Sequence, residues 1–125
     1  MGFFTRAPKL EATFTATVAV ARELAKEVEV AGELVLKNVG KDADLTALQV
    51  VLVAGGTRRI DLELPAGWQG TQRVKGGGEL RASVAWTVKL AAPMRAPAAE
   101  IQLNTTAGGK TEPLARSNKF SLDNS

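Results

Sequence analysis

Three carboxylates lie close together in the first quarter of the chain, at Glu23, Glu27 and Glu29. Paired carboxylates can act as acid and base on a glycosidic bond. A glycosidase, however, needs two of them facing one sugar across a defined gap, and proximity along the chain does not provide that geometry. We therefore interpret these three glutamates as solvated surface charges.

Asp42 and Asp44 form a second acidic pair, whose oxygens could bind a hard cation such as calcium. A calcium loop of the EF-hand type needs further acidic ligands at fixed spacings, and this loop lacks them. We expect no metal ion to bind here.

The segment 75–78 has the sequence Lys-Gly-Gly-Gly, and its glycines invite comparison with phosphate-binding loops. Those loops carry a lysine followed by serine or threonine after the glycines and lead into a helix, whereas a strand pattern follows here. The serines at positions 83, 117 and 121 have no histidine to activate them, because the chain has no histidine. Cysteine and tyrosine are missing as well. We predict that the protein is not an enzyme and needs no cofactor.

The formal net charge is +3, and charges of both signs are spread along the chain. The adjacent pair Arg58-Arg59 is followed at once by Asp61 and Glu63, whereas nucleic-acid binders cluster their basic residues. We therefore expect no nucleic-acid partner. No apolar run approaches the ~20 residues that span a bilayer, and the start lacks the pattern of a secretory signal. The absence of cysteine fits a reducing compartment, so the predicted location is the cytoplasm, with no membrane insertion.

Apolar and polar residues alternate with a period of two in most of the chain, which is the pattern of half-buried β-strands. The alternation is clearest over 10–20 and 80–90. Gly55-Gly56 predicts a tight hairpin turn between the apolar run 45–53 and the alternating strand 58–64. Further strand signals lie at 33–37, at 101–105 before Gly108-Gly109, and at 120–122. No segment forms a helix long enough to cross over between parallel strands.

These patterns predict an all-β fold. We expect one antiparallel β-sandwich domain over 1–125, arrestin-like or immunoglobulin-like, with seven or eight strands and at most one short helix. Residues 19–28 leave two possibilities open, a short helix or a strand end followed by a turn. Trp86 lies on the inward register of its strand and is expected in the core.

Trp68 lies near glycines in a segment with the pattern of a loop. It could belong to the core or, if exposed, anchor a partner. The residues beside it include few carboxylates that would repel another chain. We predict that a partner protein contacts 68–74 rather than the charged strand 58–64, through the residues Trp68, Gln69, Thr71, Gln72 and Arg73.

Several segments resemble those of the bacterial sporulation-control proteins, which are arrestin-like. The start Met1-Gly2-Phe3-Phe4 resembles the opening of that family. The segments 29–36 (Glu-Val-Ala-Gly-Glu-Leu-Val-Leu) and 44–52 (Asp-Leu-Thr-Ala-Leu-Gln-Val-Val-Leu) are similar to its first aliphatic strands. Gly78-Glu79-Leu80 and the prolines Pro93 and Pro97 resemble a later strand and its end. The resemblance covers most of this chain and the first of that family's two lobes. It implies a regulatory adaptor of arrestin type without catalytic residues.

The function that we expect is therefore a non-catalytic protein-interaction or regulatory adaptor module. The alternative is a structural subunit of a homo-oligomeric or polymeric assembly, in which the sandwich packs against copies of itself. Neither interpretation identifies the partner protein.

Overall fold

A computed structural model describes residues 9–107 and 110–125. The predicted turn at Gly108-Gly109 and the opening segment 1–4 lie outside the described residues. Within the described ranges the chain forms one turn of 3-10 helix, Ala66–Trp68, and eleven β-strands: β1 (Leu10–Arg22), β2 (Glu27–Asn38), β3 (Ala43–Leu45), β4 (Gln49–Ala54), β5 (Arg58–Leu62), β6 (Gln72–Val74), β7 (Glu79–Lys89), β8 (Ala98–Ala107), β9 (Lys110–Arg116), β10 (Phe120–Ser121) and β11 (Asp123–Asn124).

The first sheet has the strand order β11-β1-β2-β7. β1 and β2 form a long antiparallel hairpin, and only β11 runs parallel to its neighbour. Residues 19–28 are therefore strand, turn and strand, because Ala21 and Val28 oppose each other in the hairpin and are both buried. Their burial in the core outweighs the helix propensity of this segment.

A β-bulge interrupts the hairpin at Thr17, which has no opposite residue in β2. Gly32 lies beside it and opposes Ala16. A Cβ atom at position 32 would lie 2.1 Å from the carbonyl oxygen of Thr15, so only glycine permits this close approach of the two backbones.

The second sheet has the order β10-β8-β4-β5, and β9 also pairs with β8. The predicted hairpin between β4 and β5 is confirmed, with positive φ angles at Gly55 and Gly56. The apolar run 45–53 is not one strand. Leu45 ends β3, Ala47 has a φ of 49°, and β4 begins only at Gln49. β3 pairs with β6 in a separate small sheet.

The two larger sheets pack face to face around one core, which confirms the β-sandwich. Its fully buried side chains come from both sheets and include Phe14, Leu34, Leu52 and Ile101. Trp86 is 7% exposed, as the strand pattern predicted, and its ring centroid lies 6.3 Å from that of Phe14. β1 contacts β9 and β10 at one side of the sandwich. β7 and β5, the edge strands at the far ends of the two sheets, therefore lie at the opposite side.

More strands are present than the seven or eight predicted. The break at Ala47 separates β3 from β4, and β11 has only two residues, whereas β10 lies within the strand signal at 120–122. β9 was missed because Pro113 and the charged residues around it obscure the alternation. Within 9–107 and 110–125, no helix has the length and apolarity to cross a membrane.

Candidate functional site

β7 forms one edge of the first sheet. It pairs with β2 along all eleven residues, from Glu27 opposite Lys89 to Lys37 opposite Glu79, without a bulge. Among the residues that the structure describes, no strand pairs with its other side. We call this unpaired side the free edge of β7.

Two hydrogen bonds at the ends of β7 fix which residues face outward. Leu90 N donates to Lys26 O at 2.7 Å, and Asn38 N donates to Gly78 O at 2.9 Å. In an antiparallel pair the hydrogen-bonded positions alternate, so the even-numbered residues of β7 bond to β2. The odd-numbered residues therefore direct their N–H and C=O groups to the free edge: Glu79, Arg81, Ser83, Ala85, Thr87 and Lys89.

The side chains of these odd-numbered residues are all exposed. The charged ones lie near the two ends of the strand, and the middle carries only Ser83, Ala85 and Thr87. Arg81 forms ion pairs with Glu33 and with Glu79, the latter at 2.8 Å. The hydrogen bond that Arg81 donates to Glu79 and the charges of both glutamates raise the pKa of Arg81 above its usual value. The centre of the free edge is therefore uncharged, whereas its ends are charged.

A shallow groove runs beside the free edge, between residues 63–66 and 83–86, with a volume of about 190 Å³. The indole of Trp86 forms part of its wall. Trp86 Nε1 donates a hydrogen bond to Glu63 O at 2.7 Å, which links β7 to the segment after β5. A chain added along the free edge would place alternate side chains in this groove.

An ion-pair network covers the Lys89 end of β7. Glu27 lies 3.0 Å from Lys89 Nζ and 3.3 Å from Arg22 Nη1, and Arg22 Nη2 lies 2.8 Å from Glu29. The hydrogen bond from Lys89, aided by the charge of Arg22, holds the pKa of Glu27 below its usual value. The third glutamate, Glu23, lies 3.8 Å from Arg95. Glu23 is exposed, as expected, whereas Glu27 and Glu29 are half-buried and paired with cations, which corrects the expectation of three solvated charges.

Trp68 is 3% exposed, so the expectation that it is an exposed anchor is wrong. It ends the 3-10 turn, in which Trp68 N donates to Pro65 O at 2.9 Å, and its side chain packs in the core. The nearby glycines suggested a loop, but a short turn can still direct a large side chain inward.

The other four predicted contact residues lie beyond this turn. Gln69, Thr71 and Arg73 are exposed, and Gln72 is half-buried. The Gln72 side chain donates to Gln69 O at 2.7 Å, and Arg73 lies 3.6 Å from Asp44. The structure brings these residues together on the surface around β6, and their role in binding stays a prediction.

Asp42 and Asp44 have separate partners. Asp42 Oδ1 accepts a hydrogen bond from Gly76 N, while Asp44 pairs with Arg73. In the part of the chain that the structure describes, no group of three or more acidic, histidine or cysteine residues could hold a metal ion.

No family model matches the chain, and no curated protein matches it significantly. Solved structures are similar to it. A structure named as ApaA from Bordetella pertussis aligns with 94% of this chain and 96% of its own, at a TM-score of 0.54 and 12% identity. Spo0M, a sporulation control protein from Bacillus subtilis, aligns with 93% of this chain at a TM-score of 0.54 and 13% identity. These likenesses show that the chain shares a β-sandwich fold with these two structures.

The alignment covers 49% of the Spo0M chain, so this protein corresponds to about half of that one. At such low identities the likeness concerns the fold alone. The sequence resemblance to sporulation-control proteins thus has a structural counterpart in Spo0M, at the level of the sandwich.

Proposed function

We propose that this chain is a non-catalytic protein-interaction module that binds an extended segment of another protein along the free edge of β7. The observation that carries the proposal is that β7 has eleven regular residues and that no strand among the described residues pairs with its free edge. A strand added there would hydrogen-bond to the outward N–H and C=O groups of alternate residues.

Natural sheets usually protect their edges with bulges, prolines, charged side chains or very short strands. Of these devices, β7 has only the charged side chains near its two ends. It is long, it is in continuous register with β2, and the centre of its free edge, from Ser83 to Thr87, carries no charge. An edge of this kind favours pairing with another chain.

The groove beside the free edge would add side-chain selectivity to these backbone bonds. Its walls are the segment 63–66 and the stretch 83–86, which includes Trp86. Because the groove is shallow, we expect it to favour small side chains at the positions of the bound strand that face inward.

A regulatory role without catalysis is consistent with the rest of the molecule. The chain lacks histidine, cysteine and tyrosine, the residues most used as bases and nucleophiles near neutral pH. Spo0M, which shares the fold, is named as a sporulation control protein. By this analogy we propose a regulatory adaptor that acts in the cytoplasm.

The experiment selects random peptides displayed on phage against the full chain. Binding of a labelled peptide is then measured by fluorescence anisotropy to the parent, to Ala85→Pro and to Ala85→Val. Proline removes an outward N–H without breaking a bond to β2, whereas valine keeps the N–H. We expect Ala85→Val to bind like the parent and Ala85→Pro to bind about tenfold or more weakly.

Arg73→Glu serves as the third variant, because it alters the patch that the sequence predicted and leaves β7 unchanged. Loss of binding in Arg73→Glu alone would place the interface at β6. Failure to select any peptide, or equal binding by all variants, would contradict the proposal.

A further inference from the structure

We infer that the free edge of β7 pairs with the same edge of a second copy of this chain, antiparallel and across a two-fold axis at Val84. The inference rests on the proposed function, because it names an occupant for the same edge. It joins the two four-stranded first sheets into one continuous sheet.

The direction of the backbone groups restricts the possible registers. Outward residues of one copy must oppose outward residues of the other, and these are the odd-numbered residues. An axis at Val84 satisfies this condition along the whole strand. It places Ser83 of one copy opposite Ala85 of the other, and likewise Arg81 opposite Thr87 and Glu79 opposite Lys89.

Charge complementarity favours this register over those with the axis at Ala85 or at Ser83. With the axis at Val84, each Glu79 opposes a Lys89 of the other copy, so that two attractive pairs form at the ends of the interface. An axis at Ala85 would instead oppose Arg81 with Lys89, which are like charges. An axis at Ser83 would oppose Glu79 with Thr87 and leave Lys89 beyond the paired strand.

The inward side chains are complementary in the same register. Trp86 opposes Ala82 of the other copy, a large side chain beside a small one, and Val84 opposes itself. The shallow groove along 83–86 would therefore receive only the small side chains Ala82 and Val84 of the second copy. The charges of the outward side chains and the sizes of the inward side chains thus both favour the register with the axis at Val84.

The test is sedimentation equilibrium on the full-length parent, on Glu79→Lys, on Lys89→Glu and on the double variant. We expect a dimer for the parent. Each single exchange turns two attractive pairs into repulsive ones and should raise the dimer dissociation constant about tenfold or more. The double variant should return to near the parent value, because both pairs are restored with reversed sign.

The double variant also distinguishes ion pairs between the two copies from ion pairs within one chain. Within the monomer, Glu79 pairs with Arg81 and Lys89 with Glu27. Both of these pairs are lost in the double variant. Restored dimerisation would therefore support pairing between copies, and a double variant as weak as the single ones would overturn the register.

Ala85→Pro and Ala85→Val extend the test to the backbone. We expect the proline variant to be monomeric and the valine variant to be dimeric. A parent that is monomeric at all concentrations but still binds a selected peptide at β7 would overturn the second copy as occupant and leave the proposed function standing. A dimer that persists in Ala85→Pro, or that does not dissociate when the peptide binds at β7, would also overturn the inference.

Discussion

The two sides of the first sheet, at β1 and at β7, differ in how the backbone groups of the strand edge are paired. At β1, the side chain of Asn118 pairs with the backbone of Phe14. Phe14 N donates to Asn118 Oδ1 at 2.9 Å, and Asn118 Nδ2 donates to Phe14 O at 3.0 Å. One amide thus substitutes for a residue of a neighbouring strand. At β7, no such partner is present among the described residues.

Two further features close the β1 side. β11 pairs with β1 at Val20 and Ala21, and the bulge at Thr17 breaks the regularity of the strand. On the β1 side of the second sheet, the outer strand β9 is protected similarly, since it contains Pro113 and has an irregular register with β8. The comparison shows that specific residues protect the edges of β1 and β9, whereas the free edge of β7 is regular.

The largest expected effect is the loss of stability on removing Trp86, the side chain that anchors β7 in the core. Trp86→Ala removes a buried indole and its hydrogen bond to Glu63 O. The free energy of unfolding should fall by about 3–5 kcal/mol, as measured by urea denaturation. Trp86→Phe, which keeps an aromatic ring but not the N–H donor, should cost clearly less. A Trp86→Ala variant as stable as the parent would show that β7 is not anchored through this residue.

The second prediction concerns Asn118, whose side chain pairs with the edge of β1. Asn118→Ala leaves the N–H and C=O groups of Phe14 without their partner, which should cost about 1–3 kcal/mol of unfolding free energy. The amide of Phe14 should also exchange faster with deuterium. Lys119→Ala is the matched control, because Lys119 is exposed and should change stability by less than about 0.5 kcal/mol. Equal exchange at Phe14 in both variants would contradict the closure of this edge by Asn118.

The smallest effect concerns the ion pairs at the Lys89 end. The pKa of Glu27 is lowered in the folded state, so its contribution to stability is present above the unfolded pKa and is lost as pH falls through the folded value. The parent should therefore lose more stability than Glu27→Gln when urea denaturation is repeated from neutral to acidic pH. Glu11→Gln, at an exposed position, should follow the parent. Parallel curves for the parent and Glu27→Gln would contradict this pairing.

Local patterns in the sequence predicted much of the fold. Alternation placed Trp86 in the core, and Gly55-Gly56 marked a hairpin, because both signals depend on residues close in the chain. The free edge could not be predicted in this way. Whether a strand lies inside a sheet or at its edge depends on the strand order, which is decided by contacts between distant segments.

Two individual side chains show the same limit. The direction of Trp68 depends on a turn of three residues that flanking glycines do not reveal. Asn118 contacts Phe14, 104 positions away in the chain, so nothing around it in the sequence suggests that it closes an edge. The alternation of 80–90 predicted which face of β7 is exposed and which is buried. It did not predict that β7 lies at the end of the first sheet.

The pairing of β2 also has a consequence for the order of folding. Its partner β1 is connected to it by a short turn, whereas Glu27 and its opposite residue Lys89 are far apart in the chain. Because closing a long loop costs more entropy than closing a short one, we expect the β1–β2 hairpin to form first and β7 to dock later. Until then β2 itself is an exposed strand, so the nascent protein passes through a state that is prone to aggregate. Substitutions in the β1–β2 turn should then slow folding, and those in β7 should mainly speed unfolding.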